Sequence, residues 1–109
     1  MLNRSADLSK VYHVDAFRNV DTLNEIIDNL NKAIYGKFDE INDPDVSTNV
    51  NIAFISPTGV EFYGQDGQQV IDTVPLEEFK QITIAWRDHL SKKSIFKKLR
   101  SFINRFSLH

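Results

Sequence analysis

The 109-residue chain contains no cysteine, four glycines, three prolines and one tryptophan. The absence of cysteine excludes a disulfide-stapled scaffold, a thiolate zinc site and a cysteine nucleophile, and it is typical of a reducing compartment. No apolar run approaches the roughly 18 residues of a membrane-spanning helix. The polar start, with Asn3, Arg4 and Asp7, is not typical of a signal peptide. We therefore expect one cytoplasmic domain over residues 1–109, with a single core.

Charge is distributed unevenly along the chain: the first 90 residues are poor in bases, and the last 19 have no acids. Residues 1–90 carry seven Lys or Arg and fifteen Asp or Glu, a net charge of −8, whereas residues 91–109 carry six Lys or Arg and no acid, a net charge of +6. Residues 38–79 contain nine acids and no base. An acidic surface of this kind repels nucleic acid and attracts a basic protein. The alternative is an ordinary solvated face that maintains solubility.

The first secondary-structure signal is a stripe of apolar residues at spacings of three and four, which predicts a helix over residues 21–35. Asp21 or Thr22 can cap its start, and Gly36 can end it in the left-handed conformation. Residues 10–14 favour a short strand. Residues 1–9 show no periodicity, and we expect them to be flexible. The stripe consists of Leu23, Ile26, Ile27, Leu30, Ala33 and Ile34.

After a polar connection at residues 37–48, the apolar period changes from 3.6 to 2. Residues 49–64 predict a hairpin, whose first strand places Phe54 in the core by alternation. The turn at residues 56–59 ends in Gly59, which we expect to be left-handed. On the return strand, Phe62 is expected to face the core and Tyr63 to point outward beside Glu61.

A third strand at residues 70–74 completes the predicted meander, and a helix opened by Pro75 follows over residues 75–90. Residues 91–94 (Ser-Lys-Lys-Ser) interrupt the apolar pattern before a last helix at 95–106. The element order is therefore (β)-α-β-β-β-α-α. It predicts an α+β fold, in which a three- to four-stranded antiparallel meander packs against two to three helices.

Residues 92–109 are predicted to form a basic amphipathic C-terminal helix, with Ile, Leu and Phe opposite Lys and Arg. Three interpretations remain open for this segment. Its apolar stripe can pack on the domain or on a second copy, it can lie on a membrane surface, or its bases can contact nucleic acid phosphates. The acidic remainder of the chain argues against nucleic acid. A monomer and a homodimer are equally compatible with the sequence.

Catalytic and cofactor motifs are poorly supported. The three histidines, at positions 13, 89 and 109, do not pair at metal-binding spacing. The acids at 39–45 lack the glycine of a calcium loop, and none of the four glycines belongs to a phosphate-binding loop. We expect neither an enzyme nor a bound metal or cofactor.

Three segments together carry a resemblance to a known class of proteins. They are residues 54–63 (Phe-Ile-Ser-Pro-Thr-Gly-Val-Glu-Phe-Tyr), residues 75–79 (Pro-Leu-Glu-Glu-Phe) and the stretch from Trp86 to Leu90. This arrangement resembles small bacterial immunity proteins of polymorphic toxins, including contact-dependent growth inhibition systems. The resemblance implies a cytoplasmic, non-enzymatic protein that neutralises a cognate toxin by tight binding. Many such toxins are basic nucleases, and the acidic tract fits such a partner independently.

The sequence hypothesis is therefore an immunity or inhibitor protein that binds a basic toxin through its acidic surface. The alternatives are a peripheral membrane or adaptor module that uses the C-terminal helix, and a small enzyme with an unrecognised site. We expect eight residues to bind the partner: Asp39, Glu40, Asp43, Asp45, Glu61, Tyr63, Asp66 and Asp72.

Overall fold

The computed structural model describes the backbone of residues 13–107 and the side chains of residues 13–92. The three strands form one antiparallel sheet in the order β1-β2-β3. The predicted α+β meander is thus confirmed. In chain order the elements are helix α1 (Val20–Ile34), a 3₁₀ turn (Phe38–Glu40), strands β1 (Ile52–Ile55), β2 (Val60–Tyr63) and β3 (Val70–Val74), and helix α2 (Leu76–Ser107).

Helix α1 lies within one residue of its predicted bounds, and its buried residues belong to the predicted stripe. Its N-cap is Asn19, not Asp21 or Thr22. The Asn19 side chain accepts hydrogen bonds from the backbone N–H groups of both those residues, at 2.8 and 3.3 Å. Gly36, at φ +75°, ends the helix as predicted. Its own N–H group and that of the next residue donate to carbonyls of the last turn of α1, which is a Schellman motif.

The predicted hairpin pairs Ile55 with Val60 across the turn at residues 56–59. The Ser56 hydroxyl accepts from the backbone N–H of Gly59 at 3.1 Å, which closes the turn. The expectation that Gly59 is left-handed is wrong, because positive φ among the described glycines occurs at Gly36 and Gly67. Glycine is needed at position 59 for another reason, the close approach of β3.

The predicted facing of β1 is wrong. Ala53 and Ile55 are buried, whereas Phe54 is half-buried on the opposite face and Val50 precedes the strand, exposed. Cross-strand partners share a face, and Ala53 and Ile55 lie opposite Phe62 and Val60, the buried residues of β2. All four residues of β1 are apolar, so alternation alone does not decide which pair faces the core. The predicted orientation of Phe62 and Tyr63 is confirmed.

Part of the predicted polar connection borders the sheet along β1. Val46 N–H donates to the Ala53 carbonyl at 2.9 Å, and Ile55 N–H donates to the Pro44 carbonyl at 2.9 Å. Next to the first of these bonds, the Ser47 hydroxyl accepts from Ala53 N–H at 2.9 Å and so replaces a backbone acceptor. This segment protects the edge of β1, as a fourth strand would.

The C-terminal region corrects the predicted element order. Helix α2 continues through residues 91–94, so the two predicted helices are one. Ser-Lys-Lys-Ser contains neither glycine nor proline, and lysine is a good helix former. An interruption of the apolar pattern therefore does not end the helix. Residues 1–9 lie outside the described residues, as do the side chains of 93–109.

The predicted first strand is also corrected where it is described. Residues 13–15 form a helical turn, closed by a hydrogen bond from Phe17 N–H to the Val14 carbonyl at 2.9 Å. Residues 10–12 lie outside the described residues. The turn is buried against the inner face of the sheet, where Val14 joins the core. Tertiary packing of His13 and Val14, both buried, thus outweighs the local propensity for a strand.

The core lies between the inner face of the sheet and the two helices. Helix α1 contributes Ile26 and Leu30, the sheet contributes Ile55 and Phe62, and the first turns of α2 contribute Phe79. Both described helices pack on this one side of the sheet, which leaves its other face without a described helix. We call this other side the outer face.

Candidate functional site

Carboxylates of α1 and of the loop before β1 border one groove of about 290 Å³. The only Lys or Arg among the described residues lining it is Lys32, whose Nζ lies 3.3 Å from an oxygen of Asp28. Neither carboxylate of the loop forms a described ion pair. We call this site the acidic groove and define it by Glu25, Asp28, Lys32, Asp43 and Asp45.

The loop side of the acidic groove is held by its own polar groups. Asp43 Oδ1 accepts from Asp45 N–H at 3.1 Å, and Asp45 Oδ1 accepts from Ser47 N–H at 2.8 Å. The Asn29 amide of α1 donates to the Asp43 carbonyl at 3.3 Å, which ties the loop to the helix. These bonds use one oxygen of each carboxylate, so the loop is preorganised while its charges remain exposed.

Two of the groove carboxylates, Glu25 and Asp28, were not among the predicted site residues. Their spacing was visible in the sequence, since positions 25, 28, 29 and 32 are polar and lie along one face of a helix. Only the packing of the loop beside that face brings them close to Asp43.

Glu61 and Tyr63 form a separate cluster on the outer face. The Tyr63 hydroxyl donates to Glu61 Oε1 at 3.3 Å, and the Tyr63 ring packs edge-on against Phe54 at 5.8 Å. Partial removal of water, followed by the negative charge of Glu61 and this hydrogen bond, raises the pKa of Tyr63 above its ordinary value. Tyr63 is therefore a neutral hydrogen-bond donor at physiological pH.

The sheet register connects this cluster to the loop. Asp45 pairs with Phe54, Phe54 with Glu61, and Glu61 with Thr73. Because paired residues share a face of the sheet, these four form one row across the outer face. Asp45 therefore lies at the border between the outer face and the acidic groove.

The remaining predicted site residues are dispersed. Asp39 and Glu40 are exposed on the 3₁₀ turn. Asp66 caps the turn between β2 and β3, where it accepts from Gln68 N–H at 3.0 Å. Asp72 pairs with Phe62 and so does not belong to the outer-face row. The eight predicted residues are thus spread over several surfaces and do not form a single patch.

The described histidines have packing roles. His13 is buried, with its Nε2–H donating to the Val46 carbonyl at 2.8 Å and its ring edge-on to Phe62 at 4.8 Å. His89 stacks on Trp86 at 5.3 Å. In the described part of the chain, no three His, Cys, Asp or Glu side chains are arranged to hold a metal ion.

Comparisons with protein-family models, with curated proteins and with solved structures find no match to this chain. Within the described residues, none of the helices combines the length and apolar character needed to cross a membrane. The acidic groove and the outer face are the two surfaces of the described residues that bear on function.

Proposed function

We propose that this protein is a non-catalytic inhibitor of the immunity-protein kind, which neutralises a basic toxin by binding it through the acidic groove. The observation that carries the proposal is the convergence of four carboxylates on a groove in which Lys32, the one Lys or Arg among its described lining residues, is already paired with Asp28. Asp39 and Glu40 are exposed on the 3₁₀ turn and add to the negative charge of the protein surface. A lysine- or arginine-rich surface is the chemical complement of this site.

Electrostatic attraction gives this site a kinetic advantage. Opposite charges steer encounter over about a Debye length, roughly 8 Å at physiological salt. We therefore expect association with the toxin to slow as salt rises, while short-range contacts set the lifetime of the complex. The hydrogen bonds that hold Asp43 and Asp45 in place reduce the entropy lost on binding.

Four neutral, nearly isosteric substitutions test the groove without disturbing its loop. The amides retain the acceptor oxygens that cap the loop, so circular dichroism and thermal unfolding are expected to change little. Association with the toxin is expected to slow by about tenfold or more at low salt, and its salt dependence to flatten. The substitutions are Glu25→Gln, Asp28→Asn, Asp43→Asn and Asp45→Asn.

A matched control removes the same charge from other surfaces. If the acidic groove is the binding site, the control protects cells from the toxin as the wild type does. Equal loss in both variants, or none in the groove variant, would show that the acids act only through net charge or not at all. The control substitutions are Asp66→Asn, Asp72→Asn, Glu77→Gln and Glu78→Gln.

The toxin itself is identified by capture from the native host with the full chain as bait. A supporting capture must be basic, must stop growth when produced alone, and must become harmless when this protein is produced with it. A captured protein that is not toxic, or whose toxicity persists beside the wild-type chain, contradicts the proposal. These criteria separate neutralisation from nonspecific attraction to an acidic surface.

A further inference from the structure

Helix α2 carries apolar residues on two opposite sides. Its first half turns Phe79 and Thr83 into the core, with Trp86 packed against its edge. At about 100° per residue, positions 79, 83, 86 and 90 lie on one side of a continuous helix. The apolar positions of the second half lie on the other side, and they are 95, 99, 102 and 106.

A continuous helix cannot turn both sides toward the same domain. The sequence interpretation placed an interruption at residues 91–94, which would have allowed the last segment to fold back. The unbroken backbone removes that possibility. On this continuous backbone, positions 95, 99, 102 and 106 therefore lie on the opposite side of the helix from the buried positions 79 and 83. An isolated helical segment of this length is marginal in water unless another surface covers it.

The outer face of the sheet has matching properties. It contains a shallow groove of about 550 Å³, bordered by Val50, Ile52, Tyr63 and Ile71. Val50 is 83% exposed and Ile71 is 67% exposed, so apolar area here remains in contact with water. Asp45 and Glu61 of the outer-face row, defined above, add negative charge.

We propose that a second copy of this chain covers the outer face with residues 95–106 of its α2. The contact is reciprocal: residues 95–106 of each copy bind the outer face of the other copy. Such a self-complementary contact is typical of a two-fold dimer. The charges are complementary, since residues 91–109 carry +6 and residues 1–90 carry −8. Pairing the two C-terminal helices with each other would instead bring like charges together. This surface is additional to the acidic groove, and its test does not involve the toxin.

Two single variants block the two halves of the contact. Ile71→Lys places a charge on the outer face, and Leu99→Asp places one on the apolar side of the C-terminal helix segment. Light scattering coupled to size exclusion is expected to show a dimer for the wild type and a monomer for each variant. The dimer dissociation constant should rise at least about tenfold in each case, because a buried unpaired charge opposes association.

Mixing the two variants supplies the decisive measurement. The intact helix of the Ile71→Lys chain fits the intact outer face of the Leu99→Asp chain, so the mixture is expected to form a heterodimer through one contact. Tyr35→Lys and Ser101→Asp are the matched controls. Tyr35 is exposed on another surface, and position 101 lies on the other side of the helix from 99. Both controls are expected to remain dimeric, and circular dichroism confirms folding of all four variants.

Three outcomes would overturn the proposal. A wild-type chain that stays monomeric at about 100 μM forms no specific dimer of useful affinity. A dimer that persists in Ile71→Lys is built on another surface, such as the two C-terminal helices. A monomeric wild type that sediments with vesicles of phosphatidylcholine and phosphatidylglycerol, while Leu99→Asp does not, assigns the helix to membranes.

Discussion

Gly59 illustrates how one absent side chain sets the distance between a turn and a neighbouring strand. A Cβ at this position would lie 2.7 Å from Thr73 Cγ2 and 2.8 Å from the Val74 carbonyl oxygen. The second of these atoms belongs to the backbone of β3 and cannot move without disturbing the sheet. The residue type is thus determined by tertiary contact, although the sequence pattern suggests a local conformational reason.

Replacement of Gly59 by alanine is expected to lower the free energy of unfolding by about 1–3 kcal/mol, the usual cost of overpacking. Gly64→Ala is the control, because the nearest atom to a Cβ there is a side-chain oxygen of Asp66 at 3.4 Å. Urea denaturation measures both variants. Equal stability of the two would mean that β3 leaves room for a methyl group at position 59.

Tyr63 gives the molecule an alkaline titration. Its pKa is raised in the folded state by loss of water and by Glu61. Its contribution to stability is therefore complete below the unfolded pKa of about 10 and is lost as pH rises through the folded value. The phenolate absorbance lost in Tyr63→Phe reports this titration. Glu61→Gln should move the Tyr63 pKa downward, and an unchanged value would exclude Glu61 as a cause.

At the scale of elements, β1 is the strand whose facing depends on its partner. Ile55→Ala is expected to cost about 2–5 kcal/mol, because Ile55 is 2% exposed in the core. Phe54→Ala should cost less, although it removes the larger side chain, since Phe54 is half-buried on the outer face. Chemical denaturation ranks the two variants. The reverse order would restore the facing that alternation predicted.

Helix α2 shows the limit of periodicity as a guide to where an element ends. The apolar pattern changes phase near residues 91–94, whereas the backbone hydrogen-bond pattern does not. A change of phase in the apolar pattern indicates that a different side of the helix is apolar. It does not indicate whether the helix ends there. Helix ends are commonly marked by glycine, proline or a capping group, as at Gly36 in α1.

At the scale of the whole molecule, the proposed dimer makes the unfolding temperature depend on protein concentration. If residues 95–109 join two copies, the unfolding temperature of the full chain rises with protein concentration, because association stabilises the folded state by mass action. A chain truncated after Ser94 should unfold at a temperature independent of concentration. Scanning calorimetry over a hundredfold range of about 1–100 μM makes the comparison. Parallel behaviour of the two chains would place the C-terminal segment outside any dimer contact.

The sequence predicts that acidic residues form the candidate site, but it does not predict which of them lie close together. Asp43 and Asp45 were predicted, and the structure places both beside α1. Glu25 and Asp28 lie 15 to 20 residues away from them in sequence and join them only through tertiary packing. Asp66 and Asp72 share their charge but lie on other surfaces. A count of acids along the chain cannot distinguish these two groups, because surface position depends on the fold.

The sequence by itself determined the helix α1, the hairpin, the third strand and the antiparallel order of the sheet. These features depend on local periodicity and short turns, which act between residues close together in the chain. Tertiary structure alone decided which face of β1 is buried, why position 59 is glycine and which acids form a groove. Those outcomes depend on contacts between distant segments, and a segment that is apolar on both faces, such as β1, fits either orientation until its neighbours select one.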